Sequence, residues 1–220
     1  MVTIAVAGQA LTLLPQKAAL LPDSRTLLIA DAHIGKATSF RALGVPVPRG
    51  TTSETLAVLS DLVARHGARR IVFLGDFLHS ARSHAAATLA SVARWRDEHA
   101  ALSLVLVRGN HDDRAGDPPA SLRFEVVDEP LRDGGLALCH HPEPVEGAHV
   151  IAGHLHPCVS VHGRAHERLR LPVFHVGERV TVLPAFGSFT GMHPVRPAPG
   201  DRLFAVADDA VRELPPQAHA

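Results

Sequence analysis

The chain has 220 residues, of which 46% are hydrophobic and 20% charged, and its 22 basic and 22 acidic side chains balance to zero net charge. These values are typical of a soluble globular protein, and they exclude a disordered chain and a protein held to nucleic acid by bulk positive charge. Because two cysteines are too few for a disulfide scaffold and no apolar run approaches the ~20 residues of a membrane span, we expect a cytoplasmic protein with no membrane segment.

The first half of the chain alternates apolar runs with helical patterns. The predicted elements are a hairpin around Gly8-Gln9, a strand at Thr26–Ala30, a helix from Thr51 to Gly67, a strand at Ile71–Leu74, a helix over 85–99 and a strand at Leu102–Val107. The three strands are continuous apolar runs, as expected of strands that are buried on both faces, and Thr51-Thr52-Ser53-Glu54 has the spacing of a capping box. This alternation predicts an α/β fold with a largely parallel sheet.

After residue 120 the pattern changes to short strands separated by tight turns, which predicts an antiparallel-rich second half. These predicted strands are Phe124–Val127, Leu136–Cys139, Val150–Ala152, Val159–His162, Leu169–Val176, Arg179–Leu183 and Leu203–Ala207. The simplest arrangement is two packed mixed sheets flanked by helices, in one domain that spans residues 1–220.

Metal-type ligands follow five of the predicted strands, and they account for several of the 16 histidines. The motifs are Asp31-Ala32-His33, Gly75-Asp76, Gly109-Asn110-His111-Asp112, His140-His141 and Gly153-His154-Leu155-His156. Ligand sites of α/β sheets lie at the carboxyl ends of strands, so we expect these side chains to meet at one edge. In Asp-x-His and His-x-His, the alternation of an extended segment would place both side chains of a pair on one side.

Imidazole and carboxylate without thiolate suit manganese, iron, zinc or nickel rather than a structural zinc site. Seven candidate ligands are too many for one tetrahedral ion, but they suffice for two divalent ions if Asp76 bridges them. Two ions about 3.5–4 Å apart can activate a bridging hydroxide and bind the oxygens of an in-line phosphoryl displacement. Each motif alone also has a structural explanation, such as a turn for Gly75-Asp76 or an ordinary loop for Gly109–Asp112. The combination and order of the motifs favour a metal site.

Together these motifs resemble the complete motif set of the calcineurin-like binuclear metallophosphoesterases, over about residues 26–157. The resemblance implies a four-layer α/β/β/α sandwich. It also implies that Asp31, His33 and His156 bind one metal, that Asn110, His140 and His154 bind the other, and that Asp76 bridges them. By the same resemblance His111 stabilises the transition state or protonates the leaving oxygen, and Asp112 orients its loop. Either His140 or His141 could be the ligand; the family pattern favours His140, two residues before Pro142.

A narrower resemblance covers almost the whole chain. Its motifs are Leu28-Ile29-Ala30-Asp31-Ala32-His33-Ile34-Gly35-Lys36, Phe40-Arg41, Gly44-Val45-Pro46-Val47-Pro48, Leu74-Gly75-Asp76-Phe77-Leu78-His79-Ser80 and Leu183-Pro184-Ala185-Phe186-Gly187-x-Phe189-Thr190-Gly191. They resemble the ligase-associated DNA-damage-response endonucleases of the PdeM type. This implies a manganese-dependent phosphodiesterase that nicks DNA, single-stranded DNA in particular, in a bacterial repair setting.

Three further residues are candidates for contacts with the substrate. His79 lies three residues after Asp76 and either contacts the substrate phosphate or starts a helix and faces solvent. Lys36 and Arg41 follow the first ligand pair and either bind DNA phosphate or lie on the plain surface. Lys17 and Lys36 are the only lysines, so arginine supplies 20 of the 22 basic side chains, although genomic base composition alone can produce this bias.

We therefore expect a two-metal DNA phosphodiesterase. The alternative is a phosphomonoesterase or cyclic-nucleotide phosphodiesterase with the same site, and a non-enzymatic scaffold is disfavoured because the ligand set is complete. An aromatic content of 4% and zero net charge leave few stacking or electrostatic contacts with a single strand. Binding to DNA is therefore expected to be transient and to be assisted by a partner such as a helicase or a DNA ligase.

Overall fold

The computed structural model describes residues 1–42, 44–45, 47, 50–162, 168–188 and 190–216. Pro46, Pro48 and Phe189, which belong to the sequence motifs, lie outside the described residues.

The first sheet carries the parallel strands that the sequence predicts. Among the described residues it contains β1 (Val2–Val6), β2 (Gln9–Leu14), β3 (Ala18–Leu21), β4 (Thr26–Ala30), β5 (Arg70–Leu74), β6 (Ser103–Val107) and β7 (Phe124–Val127). The strands lie side by side in chain order, with β1 to β4 antiparallel and β4 to β7 parallel. The predicted parallel arrangement is confirmed. β3 was not predicted, because four apolar residues in a row do not distinguish a strand from a buried helical turn.

The second sheet is mostly antiparallel, as predicted. Its described strands are β8 (Leu131–Asp133), β9 (Leu136–Leu138), β10 (His149–Ala152), β11 (Pro157–His162), β12 (Arg168–Val176), β13 (Val180–Val182), β14 (His193–Pro194), β15 (Arg202–Ala207) and β16 (Ala210–Glu213). β10 is nevertheless parallel to both β9 and β13. This parallel pairing places the carboxyl ends of β9 and β10 at the same edge of the sheet.

Four α-helices and two 3-10 helices occur in the described residues. They are α1 (Lys36–Ala42), α2 (Thr51–His66), α3 (Ala86–Glu98), α4 (Asn110–Ala115) and the 3-10 turns Ala81–His84 and Ala120–Leu122. α2 and α3 confirm the two predicted helices. α2 ends at Gly67, which has a φ of 57° and donates its N–H to the carbonyl of Val63. The predicted capping box is not formed, because Gly50 rather than Thr51 precedes the first helical residue.

Two hydrophobic layers hold the sheets in place. Leu59 and Leu62 of α2 and Trp95 of α3 pack with Phe73 on the outer face of the first sheet. A second layer between the sheets contains residues of both, for example Val72 and Phe174. The α/β fold with two mixed sheets and flanking helices is confirmed.

The sequence resemblance implies a fourth layer, made of helices, on the outer face of the second sheet, and the described residues do not form it. No helix follows Leu122 in the part of the chain that the structure describes. Val145 and Ala148, which lie in a loop, pack against β9 and β10 instead. The helices are therefore concentrated on the first sheet.

Candidate metal centre

The structure brings the seven predicted ligands together at the edge where strands of both sheets end. Asp31 and His33 follow β4, Asp76 follows β5, Asn110 begins α4 after β6, His140 follows β9, and His154 and His156 follow β10. Their side chains form two groups that share one edge of the sandwich.

Asp31, His33 and His156 form the first group, and their ligand atoms lie within 4.8 Å of one another. Oδ1 of Asp31 is 3.3 Å from Nε2 of His156. This oxygen, both ring nitrogens of His33 and Nε2 of His156 are buried and have no hydrogen-bond partner among the described residues. Since buried polar atoms are normally paired, these atoms fit the ligands of a metal ion.

His140, His154 and Asn110 form the second group. Nε2 of His140 lies 3.0 Å from Nδ1 of His154 and 2.9 Å from Oδ1 of Asn110. Ligand atoms at about 2.1 Å from one ion lie about 3.0–3.4 Å apart, so these separations fit a shared ion.

Asp76 lies between the two groups. Its Oδ1 is 3.6 Å from Nε2 of His140, and its Oδ2 is 3.9 Å from Nε2 of His33. Each oxygen thus faces a different group. Because the carboxylate is buried, solvent does not compete with these contacts. This is the geometry that a bridging carboxylate requires.

His140 and His141 differ in what their rings contact. Nδ1 of the buried His140 ring lies 3.1 Å from the carbonyl of Leu74 and donates its proton to it. Nε2 is therefore the ring atom whose lone pair can bind a metal ion. Nδ1 of His141 lies 2.6 Å from Oε1 of Glu129. Both rings lie near His154, and the geometry favours His140 as the ligand.

The backbone at the ligands is strained, and the expected extended arrangement of the two His-containing pairs is wrong. Asp31, His33, His154 and His156 all have positive φ, between 45° and 68°, and Asp76 has a φ of 52°. Non-glycine residues in this region cost about 1–3 kcal/mol each, and they cluster at functional sites. The side chains of both pairs therefore reach the site through left-handed turns rather than through strand alternation. Asp31 and His33 lie in one group, whereas His154 and His156 lie in different groups.

Glycines permit the close approach of backbone and ligands. Gly75, with a φ of 76°, faces the His140 ring so closely that a Cβ would overlap it. A Cβ at Gly109 would lie 2.5 Å from Oδ1 of Asp76. These two glycines of the sequence motifs thus make room for the ligand side chains.

Asp112 holds two ligand loops together. It is 1% exposed. Its carboxylate accepts N–H hydrogen bonds from Asp76, Phe77, Leu78 and Gly109, over 2.7–3.3 Å. Burial, followed by the nearby charge of Asp76, raises the pKa of Asp112 to about 6. This arrangement fits the expected orienting role.

His111 and His79 stack beside the centre. The backbone N–H of His111 donates to Oδ1 of Asp76 over 2.9 Å, and its Nδ1 lies 2.9 Å from the carbonyl of His79. The two rings stack with centroids 5.1 Å apart, and the His79 ring is 5.3 Å from that of His33. Burial, followed by Lys36 and His111, lowers the pKa of His79 to about 4. His79 is half-buried at the centre and does not face solvent as a helix start.

The two basic candidates, Lys36 and Arg41, line different cavities. Lys36 is half-buried and lines a narrow cavity together with His33. Burial lowers the pKa of Lys36, while Asp31 and Asp76 raise it. Arg41 is exposed on α1, where its Nη2 donates to Oγ1 of Thr38, and it lines a separate cavity.

Sequence reasoning missed Glu129. This carboxylate accepts the backbone N–H groups of His140 and His141, at 2.7 and 2.9 Å, in addition to the His141 ring. It lies eleven residues before His140, in a segment with no recognisable motif, so no sequence pattern pointed to it.

A family model for calcineurin-like phosphoesterases matches residues 24–174. The chain belongs to this family and is a metal-dependent phosphoesterase. The family implies divalent metal ions, and the two groups of ligands provide candidate positions for them.

The crystal structure of Pseudomonas putida nuclease MPE is similar to this chain, with 47% sequence identity and a TM-score of 0.86. The match covers 97% of this chain and 99% of the other. YfcE, a phosphoesterase from E. coli, is 14% identical with a TM-score of 0.41, and the match covers 86% of this chain and 97% of that one. A comparison with curated proteins gives no match. Within the described residues, no helix is both long and apolar enough to cross a membrane.

Proposed function

We propose that this chain is a nuclease that hydrolyses phosphodiester bonds of DNA, with single-stranded DNA as its main substrate, using two divalent metal ions. The observation that carries the proposal is the position of Asp76 between two groups of candidate ligands, the first of which has buried atoms without a hydrogen-bond partner among the described residues. The 47% identity to a structure described as a nuclease supports the substrate class. The ligand set of imidazole, carboxylate and amide oxygen without thiolate suits manganese, iron, zinc or nickel, and the resemblance to the PdeM-type endonucleases favours manganese among them.

The ligands divide into two sets with one common member. We propose that Asp31, His33 and His156 hold one ion and that Asn110, His140 and His154 hold the other, while Asp76 binds both. When bound, two such ions lower the pKa of water towards neutrality and offset the negative charge of the phosphoryl group.

The remaining side chains orient the substrate and transfer protons. Nδ1 of His111 donates to the carbonyl of His79, so in the protonated ring the Nε2–H is the group that can release a proton to the leaving oxygen. His79 stacks on this ring and offers its own buried, unpartnered Nδ1 to a phosphate oxygen. Lys36 adds positive charge beside His33, which favours an anionic substrate. Asp112 positions the loops around Asp76 and Gly109 through its hydrogen bonds to their backbone N–H groups.

The test uses metal-free protein to which single divalent ions are added. We expect nicking of circular single-stranded DNA with manganese, slower nicking of duplex circles, and loss of at least about 100-fold in Asn110→Ala and His111→Ala. Arg65→Ala is the matched control, because Arg65 is exposed on α2 and pairs only with Asp61 among the described residues. Turnover of an aryl monophosphate or a cyclic nucleotide without nicking would favour the alternative phosphoesterases.

We further propose that the chain acts in the cytoplasm during DNA repair and relies on a helicase or a DNA ligase to reach its substrate. Zero net charge and 4% aromatic residues support weak binding by the chain alone. Arg41 belongs to this proposal as an outlying phosphate contact, since it is exposed. A tight, salt-insensitive complex of the isolated protein with single-stranded DNA would contradict this view.

A further inference from the structure

The only two lysines of the chain both lie beside the candidate metal centre. Lys36 lines the narrow cavity that contains His33, and Lys17 lines a cavity of about 190 Å³ that contains His156. Ser188 lines both cavities, so the two lysines flank the loop that carries it. Arginine supplies every other basic side chain, yet at these two positions the cation is a lysine.

Lys17 is half-buried, and no acidic side chain among the described residues neutralises its charge. Its Nζ donates to the carbonyl of Phe186 over 2.8 Å and lies 3.5 Å from the carbonyl of Gly187. Within the described ranges, no carboxylate lies within 4.0 Å of it. An ammonium group has three protons, so at least one remains available to a ligand. Burial lowers the pKa of Lys17 to about 8, which keeps it mostly charged at neutral pH.

The cavity beside Lys17 has the lining and size for an anionic group of a larger substrate. Ser188 and Thr190 add hydroxyl groups, while Pro157 and Met192 add apolar surface. Its volume of about 190 Å³ equals that of about six liquid waters. His156 lines the cavity and directs Nε2 to Asp31, so the cavity adjoins the first group of ligands.

We propose that Lys17 binds the phosphate next to the scissile one, so that the protein engages a single polynucleotide strand at two successive phosphates. This inference rests on the proposed nuclease function. The hydroxyl groups of Ser188 and Thr190 assist in binding the phosphate oxygens, and the apolar wall accommodates the adjoining sugar. Polynucleotides are thereby preferred over small diesters, which lack a second phosphate.

The experiment combines a substitution with a modified substrate. Single-stranded oligonucleotides with one preferred cleavage site receive a neutral methylphosphonate at one position at a time on either side of that site. In the wild-type protein we expect one neighbouring position to lower kcat/KM about tenfold, as for loss of a charge-assisted hydrogen bond. In Lys17→Met the same methylphosphonate should lower kcat/KM less than twofold, because its partner is missing.

Two further measurements separate binding from a structural role. The ratio of kcat/KM for the oligonucleotide to that for bis-p-nitrophenyl phosphate should fall about tenfold in Lys17→Met and recover in Lys17→Arg, which keeps the charge. If Lys17 only holds the loop at Phe186, both substrates lose activity equally and the inference is overturned. It is also overturned if no neighbouring methylphosphonate affects the wild-type protein, a result that does not require the variant to fold. Failure of the nuclease proposal looks different, because the wild-type protein would then not cleave the unmodified oligonucleotide.

Discussion

At the residue scale, Asp112 shows how one buried carboxylate holds together two loops that carry candidate ligands. Four backbone N–H groups from two loops converge on it, and one of them belongs to Asp76, the candidate bridging ligand. These hydrogen bonds join the loops around Asp76 and Asn110 where their backbones leave regular strands at Leu74 and Val107.

The Asp112→Asn substitution places an amide NH2 group against these backbone N–H groups, so buried donors lose their acceptor. We expect the metal-free variant to lose about 3 kcal/mol of unfolding free energy in urea. Asp113→Asn is the matched control, since Asp113 is the next residue and exposed, and it should change the value by less than about 0.5 kcal/mol. Equal effects of the two substitutions would contradict the account.

Lys17 makes a pH-dependent contribution to stability. Its pKa is lowered in the folded protein from 10.5 to about 8, so the unfolded chain binds more protons between these values and stability rises with pH. We expect the unfolding free energy of the wild type, relative to Lys17→Met, to increase by about 2 kcal/mol between about pH 7.5 and 9.5. A difference that stays constant or falls over this range would show that burial does not lower this pKa.

At the element scale, the carboxyl ends of β5 and β9 approach so closely that only glycine fits at Gly75. The site therefore depends on how the two sheets pack, as well as on the ligand residues. Each group combines candidate ligands that follow strands of both sheets. A small shift between the sheets would therefore pull the members of each group apart.

The Gly75→Ala substitution tests this close approach. We expect it to cost at least about 3 kcal/mol of unfolding free energy and to lower manganese binding, because a Cβ would displace His140. Gly67→Ala is the control, since Gly67 also has positive φ but has no atoms within 4 Å of a Cβ position. It should cost only about 1 kcal/mol, from strain alone. Similar costs at the two glycines would exclude a collision as the cause.

The sequence predicted the long elements and which side chains gather at the site, but not the local geometry. Thr26–Ala30 and the two parallel strands that follow it, β5 and β6, are predictable because buried strands are continuous apolar runs with polar residues at their ends. The helices α1 and α4 have seven and six residues, too few for an apolar repeat to show. The left-handed turns at the ligands and the contacts of Glu129 depend on tertiary packing, which no local pattern encodes.

At the scale of the whole molecule, we propose that residues 1–220 act as one domain whose two sheets jointly build the site. Metal binding should then stabilise the entire fold, because unfolding separates β4 from β10 and disperses the ligands. Binding at 100 times the dissociation constant contributes about 2.7 kcal/mol per site.

Addition of manganese to metal-free protein should therefore raise Tm in a concentration-dependent way. Asn110→Ala should retain only part of this shift, because it removes one ligand from the second group alone. Differential scanning calorimetry of both proteins measures the effect, with Arg65→Ala as the surface control. A wild-type Tm that does not respond to manganese would contradict a structural link between the metal centre and the fold.

The central claim is that Asp76 joins two ions, and anomalous diffraction from manganese-soaked crystals tests it most directly. We expect two anomalous peaks about 3.5–4 Å apart, one on each side of the Asp76 carboxylate. A single peak, or two peaks that do not share Asp76, would contradict the account.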